Sequence, residues 1–578
     1  MTHTRPGPRF SLSDISFSYY GSWFDFSPII AQGVTEPDLH LVSHQTGMHP
    51  VLRLRPLQAG ARASTSTQAT PGRLSWISEA DDRIRIDLVF ESPDTVRIRG
   101  VGLDLDIESA VETLTSFHGN YLYRDPVDQA YVFTSYETGR RYRVTALSGA
   151  LRASGDQALG TAERAVTTVG EGRPWELAIE EYEASRAPYR LTGDFEQVAQ
   201  SAVSAFRAFA DRIAPWRTEH TPAAELAAYV LWSATVRPSG FLGRPAVLMS
   251  KHWMDKVWSW DHCFNALALA RGNPDLAWDQ FQIVFDHQDP GGALPDSIAH
   301  SGVLYNYVKP PIHGWALGLL RERLPASPPG SELVRIYRQL ELWTEYWLDH
   351  RRAPRSELAH YQHGNDSGWD NATVFDRRRL VQSADLAAFL ILQMRELANL
   401  ATLVGEPDAA RHWTDRAERM LAAMIAELWD GGRFAARAVG DGASQPTSSL
   451  LDLMPIVLGD LLPAAIHTAL ARRIREHLTD HGLATELTSS PHYRADGYWR
   501  GPVWAPSTVL IENGLRRAGH TALADEVSHR FRTLCENHGF AENFDALTGV
   551  GQRDRAYTWT ASCYLLLAEE SEQRRIEG

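Results

Sequence analysis

Two short acidic blocks stand out in this chain: Ser367-Gly368-Trp369-Asp370-Asn371 and Ala541-Glu542-Asn543-Phe544-Asp545. Each sets a carboxylate among aromatic and amide neighbours. Three further blocks place tryptophan beside polar groups: Val257-Trp258-Ser259-Trp260-Asp261-His262, Lys309-Pro-Pro-Ile-His-Gly-Trp315, and Tyr498-Trp499-Arg500-Gly501-Pro502-Val503-Trp504. Tryptophan faces cover the apolar faces of a sugar ring, while Asp, Asn, Lys and Arg bond its hydroxyls. Two acids in one sugar pocket are the requirement for glycoside hydrolysis.

A general acid must stay protonated near neutral pH, through desolvation or a neighbouring carboxylate. A tryptophan-walled loop supplies the first to Asp370; the competing role is a helix cap or Asx-turn. Glu542, in a loop between two helices, could polarise a water as a general base, with Asp545 as a nearby competitor. Asp261 could accept bonds from two adjacent sugar hydroxyls while Trp258 or Trp260 stacks on the ring, or could simply cap a helix. Lys309 offers a cation at a helix mouth. Arg500 could bond a hydroxyl or hold a carboxylate in place. Arg377, Arg378 and Arg379 follow Asp370 closely and read as a solvated helix start.

Other chemistries find less support. No HExxH, paired cysteine set or EF-hand loop is present, and the glycine-rich stretch Asp289–Asp296 lacks the lysine of a phosphate loop. Neither metal nor organic cofactor is expected. A formal charge of −14 argues against nucleic acid as a partner. No stretch approaches the roughly 20 apolar residues of a membrane helix, and the first eight residues lack the apolar core of a secretory signal. Three cysteines cannot form a disulfide framework. The expectation is a reducing, cytoplasmic setting. No coiled-coil heptad is readable, and the oligomeric state stays open.

At 578 residues the chain is too long for one ordinary core, so two domains are expected. Residues 1–190 read as an antiparallel β-sandwich. Arg83–Phe90 and Thr95–Ile107 alternate with period two, and Tyr131–Thr134 and Arg141–Thr145 are shorter versions. The tract Ala63–Gly72, rich in Ser and Thr, reads as a loop or hairpin tip. From 191 to 578 the spacing turns helical, in about a dozen segments with short connections. One of them covers 449–458. Twelve helices pair into six hairpins, the number of an (α/α)6 toroid, and the chemical blocks fall mostly in the connections.

Taken in order, the blocks from about Lys251 to Glu570 resemble the family 63 glycoside hydrolases and the related mannosylglycerate and glucosylglycerate hydrolases. The likeness includes Trp258–Asn265, the stretch from Gln288 to Asp296, Lys309–Trp315, Ser367–Asn371, Tyr498–Trp504, Glu542–Gly549 and Tyr557–Ser562. It implies an (α/α)6 catalytic domain that inverts an α-glycosidic bond. It also implies Asp370 as acid, Glu542 as base and Asp261 as a ligand of the glucose hydroxyls. Around them, Trp258, Trp260, Gln288, Lys309, Trp315, Gly368, Trp369, Asn371, Trp499, Arg500, Gly501 and Trp504 are the candidate substrate-binding residues.

The expected function is an exo-acting α-glycosidase, an α-glucosidase above all, working on a small α-glucoside such as a disaccharide, a short oligosaccharide or a glucosylglycerate-like compound. The alternatives are a disaccharide phosphorylase, in which Glu542 is dispensable, and a sugar-binding protein without turnover. Inversion calls for carboxyl groups about 6.5–9.5 Å apart. Asp370→Asn should abolish turnover and leave the circular-dichroism spectrum unchanged; near-normal activity would end its assignment as the acid.

Overall fold

Period-two alternation in the first third of the chain builds two antiparallel sheets. The computed structural model describes residues 7–577; most of the N-terminal segment read as lacking a secretory core lies outside them. One sheet runs in the order Phe24–Ala31, Val34–Ser43, His49–Gln58, Asp104–Ser109, Ala165–Val169, Ala150–Ser154, with the short Ala61–Arg62 beside His49–Gln58. The other runs Asn120–Arg124, Tyr131–Ser135, Arg141–Ser148, Trp175–Tyr182, Thr95–Val101, Arg85–Ser92, Arg73–Ser78, Thr65–Thr70. Inward residues of both sheets form one core, with Phe26, Leu41, Leu54 and Ile107 facing Leu88, Ile98, Phe133 and Leu177. This is the sandwich arrangement.

Two expectations change here. The run 95–107 is two strands: it breaks at Gly102, whose φ is 71°, and its halves join different sheets. The Ser/Thr tract is not a loop but an edge strand, Thr65–Thr70, paired in full register with Arg73–Ser78. Its side chains are mostly exposed. Its composition therefore looks solvated, while the threonines suit the extended backbone.

Helices follow: α1 (Phe195–Ile213), α2 (Ala224–Ala234), α3 (Asp261–Leu269), α4 (Pro274–Gln282), α5 (His313–Arg323) and α6 (Gly330–His350). Next come α7 (Ala384–Leu403), α8 (Pro407–Leu428), α9 (Ala464–His477), α10 (Ala505–Arg517), α11 (Thr521–His538) and α12 (Thr558–Glu577). The segment expected as a helix at 449–458 is a 3-10 stretch, Leu450–Leu461, because Pro455 removes a donor in its middle and Gly459 turns to a φ of 59°. α7 has the length and hydropathy of a membrane span, unlike anything expected from the sequence, but most of it is buried inside the protein.

The chain divides into two compact units. One holds residues up to Pro215, Ala228–Lys256 and Ala299–Ser301; the other holds Trp216–Ala227, Val257–Ile298 and the residues from Gly302 onward. α1 lies in the first, seating Phe195, Val198 and Ala199 against Val89 of strand Arg85–Ser92.

In the second unit the inner segments close a ring. α3 packs on α5, α5 on α7, α7 on the 3-10 stretch, that stretch on α10, α10 on α12, and α12 back on α3. Six inner segments in a closed circle are the core of an (α/α)6 toroid. Hydrogen bonds mark the closure, from Ser562 Oγ to Asn265 Oδ1 at 2.8 Å and from Asn265 Nδ2 to Thr558 Oγ1 at 3.4 Å. Close helix contact also demands small residues. A Cβ on Gly314 of α5 would lie 2.2 Å from Cα of Gln393 in α7.

Gly314→Ala should therefore lower the stability of the helical unit by about 3 kcal/mol through overpacking, read as an earlier urea midpoint in far-ultraviolet circular dichroism. Gly318→Ala, whose new methyl would sit 3.5 Å from the Glu396 carboxylate, should be neutral or stabilising. Equal effects would contradict the packing argument.

Candidate active site

The connections that lead into the inner segments carry the chemical blocks, and ring closure gathers them. Asp261 is the first residue of α3; Lys309 precedes α5, the 364–371 turn precedes α7, Trp499–Trp504 precedes α10, and Glu542 precedes α12. Aromatic contacts bind these connections together. Trp499 stacks on Trp504 with centroids 4.0 Å apart and planes at 6°, and lies 4.5 Å from Trp369 and 6.4 Å from Trp260. Trp559 meets both Trp260 and Trp504 edge-on. These five indoles are buried. Gly368 completes the packing: with a φ of 73°, it places its Cα where a Cβ would meet the Trp260 ring at 2.7 Å.

Asp261 is buried, and its helix cap is Trp260, which makes no side-chain capping bond. The plain N-cap role is thereby set aside. Its Oδ2 has no hydrogen-bond partner within the protein. Burial, opposed by Lys309 and reinforced by Asp296 and Asp370, holds this carboxyl well above the usual carboxylate range. Lys309 Nζ lies 3.1 Å from Asp296 Oδ1, 4.0 Å from Asp370 Oδ1 and 3.2 Å from the Asn365 carbonyl. Burial alone would lower its pKa, but Asp370 and Asp296 raise it and keep it charged.

Asp370 follows a 3-10 turn, Gly364–Ser367, and keeps 30% of its side chain accessible. Its crowded surroundings and Asp296 raise its pKa against the pull of Lys309. Asp366, not singled out from sequence, organises this loop. Its Oδ2 accepts from Arg351 and from the backbone N–H groups of Gln362 and His363, and its Oδ1 from Val308 N–H beside Lys309.

Glu542 is 3% exposed and receives a hydrogen bond from the Tyr498 hydroxyl. Burial first, then the neighbouring Asp554, push its pKa to about 8, against Arg553 and Tyr498. Its position is set by backbone bonds, Glu542 N–H to the Asp554 carbonyl at 2.7 Å, and Thr560 Oγ1 of α12 to the Ala541 carbonyl at 2.8 Å. Asp545, the competitor, accepts from Leu547 N–H at 2.8 Å and so holds the tip of the following turn.

The remaining candidates divide. Asn371 ties the two loops together: its Nδ2 bonds the Gly497 carbonyl, its Oδ1 accepts from Trp499 N–H, and its carbonyl accepts from Arg500 Nε at 2.7 Å. Arg500 also pairs with Asp376, a structural salt bridge. Gly501 donates to Thr485 Oγ1. Trp258 pairs with Ser297 in a two-residue strand beside Asp296. Gln288 turns to the Gly292 and Gln339 carbonyls, so no observed bond joins it to the acids. Trp315 bonds Asn513 and lines a cavity of about 220 Å³ with Leu267 of α3, Val509 of α10 and Leu566 of α12. Arg378 pairs with Asp441 on the surface.

Tyr498, Asp296, Arg553, Asp554 and Trp559 belong to the cluster without having been assigned roles from sequence. Tyr498 and Trp559 lie inside the quoted blocks and Asp296 ends the glycine-rich stretch, whereas Arg553 and Asp554 fall between two blocks and carried no signal. Among the described residues, the carboxylates close enough to share a metal are Asp106, Glu108 and Glu163 of the sandwich, where Asp106 and Glu108 are paired with Arg55.

A closed helical ring thus holds carboxylates behind an indole wall, and comparison with known proteins places the chain in a family. Residues 254–560 match the family model of the mannosylglycerate hydrolase MGH1-like glycoside hydrolase domain. The chain belongs to that family and is a glycoside hydrolase. It is 26% identical over 403 residues to a mannosylglycerate hydrolase of Rubrobacter radiotolerans, spanning 53% of this chain and 89% of that one. The corresponding enzyme of Thermus thermophilus is 24% identical over 395 residues, spanning 53% and 93%. The crystal structure of a GH63 mannosylglycerate hydrolase from Thermus thermophilus in complex with glucose shares the fold over 59% of this chain and 98% of its own, with a TM-score of 0.52 and 22% identity. A bacterial glucoamylase complexed with acarbose matches over 99% of this chain and 96% of its own, with a TM-score of 0.63 and 10% identity.

The raised pKa of Glu542 has a sign that can be tested. The unfolded glutamate ionises near 4.5 and the folded one near 8. The native state therefore loses stability as pH rises through this window. Glu542→Gln should melt at the wild-type temperature near pH 4.5 and increasingly above it toward pH 8, measured by differential scanning fluorimetry. A difference that does not change with pH would refute the shift.

Proposed function

We propose that this chain hydrolyses an α-glycosidic bond in a small glycoside by inversion, with Asp370 as general acid and Glu542 as general base. The observation that carries the reading is the placement of both carboxyls, from separate connections of the ring, against one tryptophan wall. Burial raises the pKa of both, which suits Asp370 as the acid, while Arg553 and the Tyr498 hydroxyl favour the ionised form that Glu542 needs as the base.

In this mechanism Asp370 gives its proton to the glycosidic oxygen as the bond to the anomeric carbon lengthens. Lys309, 4.0 Å away, stabilises the carboxylate that results. Glu542, oriented by the Tyr498 hydroxyl, takes a proton from water attacking the opposite face. Asp261, with an oxygen unspent within the protein, would accept hydroxyl hydrogens of the sugar, and the indoles would exclude solvent from the developing oxocarbenium ion. The relatives named mannosylglycerate hydrolases make a hexose α-linked to glycerate the first substrate class to test, ahead of neutral glucosides.

Proton NMR of a panel comprising mannosylglycerate, glucosylglycerate and α-linked glucose disaccharides, with and without phosphate, tests the reading. The β-anomer of the released hexose should appear first, without phosphate. Initial α-anomer would overturn inversion; turnover only with phosphate would move the protein to the phosphorylase class.

A further inference from the structure

The segment that carries Glu542 doubles back as a small hairpin. Asn543–Phe544 pairs with Gly551–Gln552, Asn543 lying opposite Gln552. The chain then enters Arg553 with a φ of 60°, and its neighbour across the site, Tyr498, has a φ of 63°. Both are large L residues in the left-handed region, which persists only where the surroundings over-determine the backbone. The two strained residues touch: the Arg553 guanidinium carbon lies 4.9 Å from the centroid of the Tyr498 ring. The same guanidinium donates to Asn543 Oδ1 at 3.3 Å and pairs with Asp496 Oδ1 at 2.7 Å. Asp496 is mostly exposed, so that pair orients the group more than it stabilises the fold.

We propose that Arg553 is a positioning residue for the base: stacked on Tyr498, its guanidinium sets the phenol hydroxyl against the Glu542 carboxylate and presents a positive charge to it. This rests on the reading of Glu542 as general base. Lying over a ring while Nη1 donates to both Asn543 and Asp496 suits a planar guanidinium better than an ammonium. The charge also has work to do. Asp554 and Asp370 both oppose ionisation of Glu542, whereas Arg553 and the Tyr498 hydroxyl favour it. Tyr557 and Asp261 complete the titratable surroundings, Tyr557 sensing both acids.

The test compares Arg553→Lys, Arg553→Gly and Glu542→Gln with the wild type on mannosylglycerate and glucosylglycerate, following kcat, KM, the pH profile and thermal melting. Arg553→Lys should lower kcat about tenfold with KM changed less than about twofold. Arg553→Gly, which relieves the left-handed strain, should melt at or above the wild-type temperature. It should nevertheless lose kcat and shift the acid limb of kcat/KM to higher pH, because the base then ionises later. An acid limb that stays in place, or a loss carried wholly by KM, overturns the proposal. Should Arg553→Gly fail to fold, the kcat and KM of Arg553→Lys decide. Glu542→Gln separates the two levels. If it stays active, the base assignment falls and this proposal with it; if it is inactive while both Arg553 variants behave as wild type, the positioning role alone falls.

Discussion

The closed contact of α12 with α3 is the constraint from which the site follows. Until the last inner helix packs on the first, the connections before α3, α5, α7, α10 and α12 are five separate loops. Once the circle is complete, Trp260, Trp369, Trp499, Trp504 and Trp559 meet, burying Asp261 and Glu542 and leaving Asp370 partly accessible. The closure is both apolar and polar. Asn265, Ser562 and Thr558 bond within it, and the Glu569 carboxylate joins Arg271, just past α3, and Arg323 of α5.

Withdrawal from water has a thermodynamic cost as well as a chemical use. Asp261, Asp370 and Glu542 all lean toward the neutral form because burial outweighs Lys309 and Arg553. A protein selected for stability alone would replace such groups with apolar residues of similar size. Here the packing of the ring and the sandwich core offsets the cost, and the left-handed residues Tyr498 and Arg553 add strain at the same place. Buried acids and backbone strain coincide in this structure.

Much of the site was legible because its chemistry lies in residue type. Asp370 lies between tryptophan and asparagine and Glu542 precedes asparagine, and these two acids, Asp261 and Lys309 are brought together. Roles that arise from distant partners were not legible. Nothing near Asn371 says that its amide will hold the loop at Gly497 and Trp499, nor near Asp366 that it will take the Val308 N–H. Gln288 and Trp315 sit in the right blocks but turn to backbone carbonyls and to Asn513. In the fold, alternation located the long strands. The polar edge strand Thr65–Thr70 escaped because an edge needs little burial, and the 3-10 stretch Leu450–Leu461 because Pro455 is compatible with an apolar pattern that looks helical.

The order of the staves around the ring also bears on how the enzyme comes into being. Because α12 seals the circle against α3, a ribosome must deliver almost the whole helical unit before the first inner helix meets its last neighbour. Until then the apolar faces of α5 and α7 have no complete enclosure. α7, mostly buried in the finished unit, leaves apolar surface open during that interval. α12 is the last inner helix to emerge, and its Thr560 hydroxyl bonds the Ala541 carbonyl beside Glu542. A nascent chain halted short of that helix would be a barrel with one stave missing.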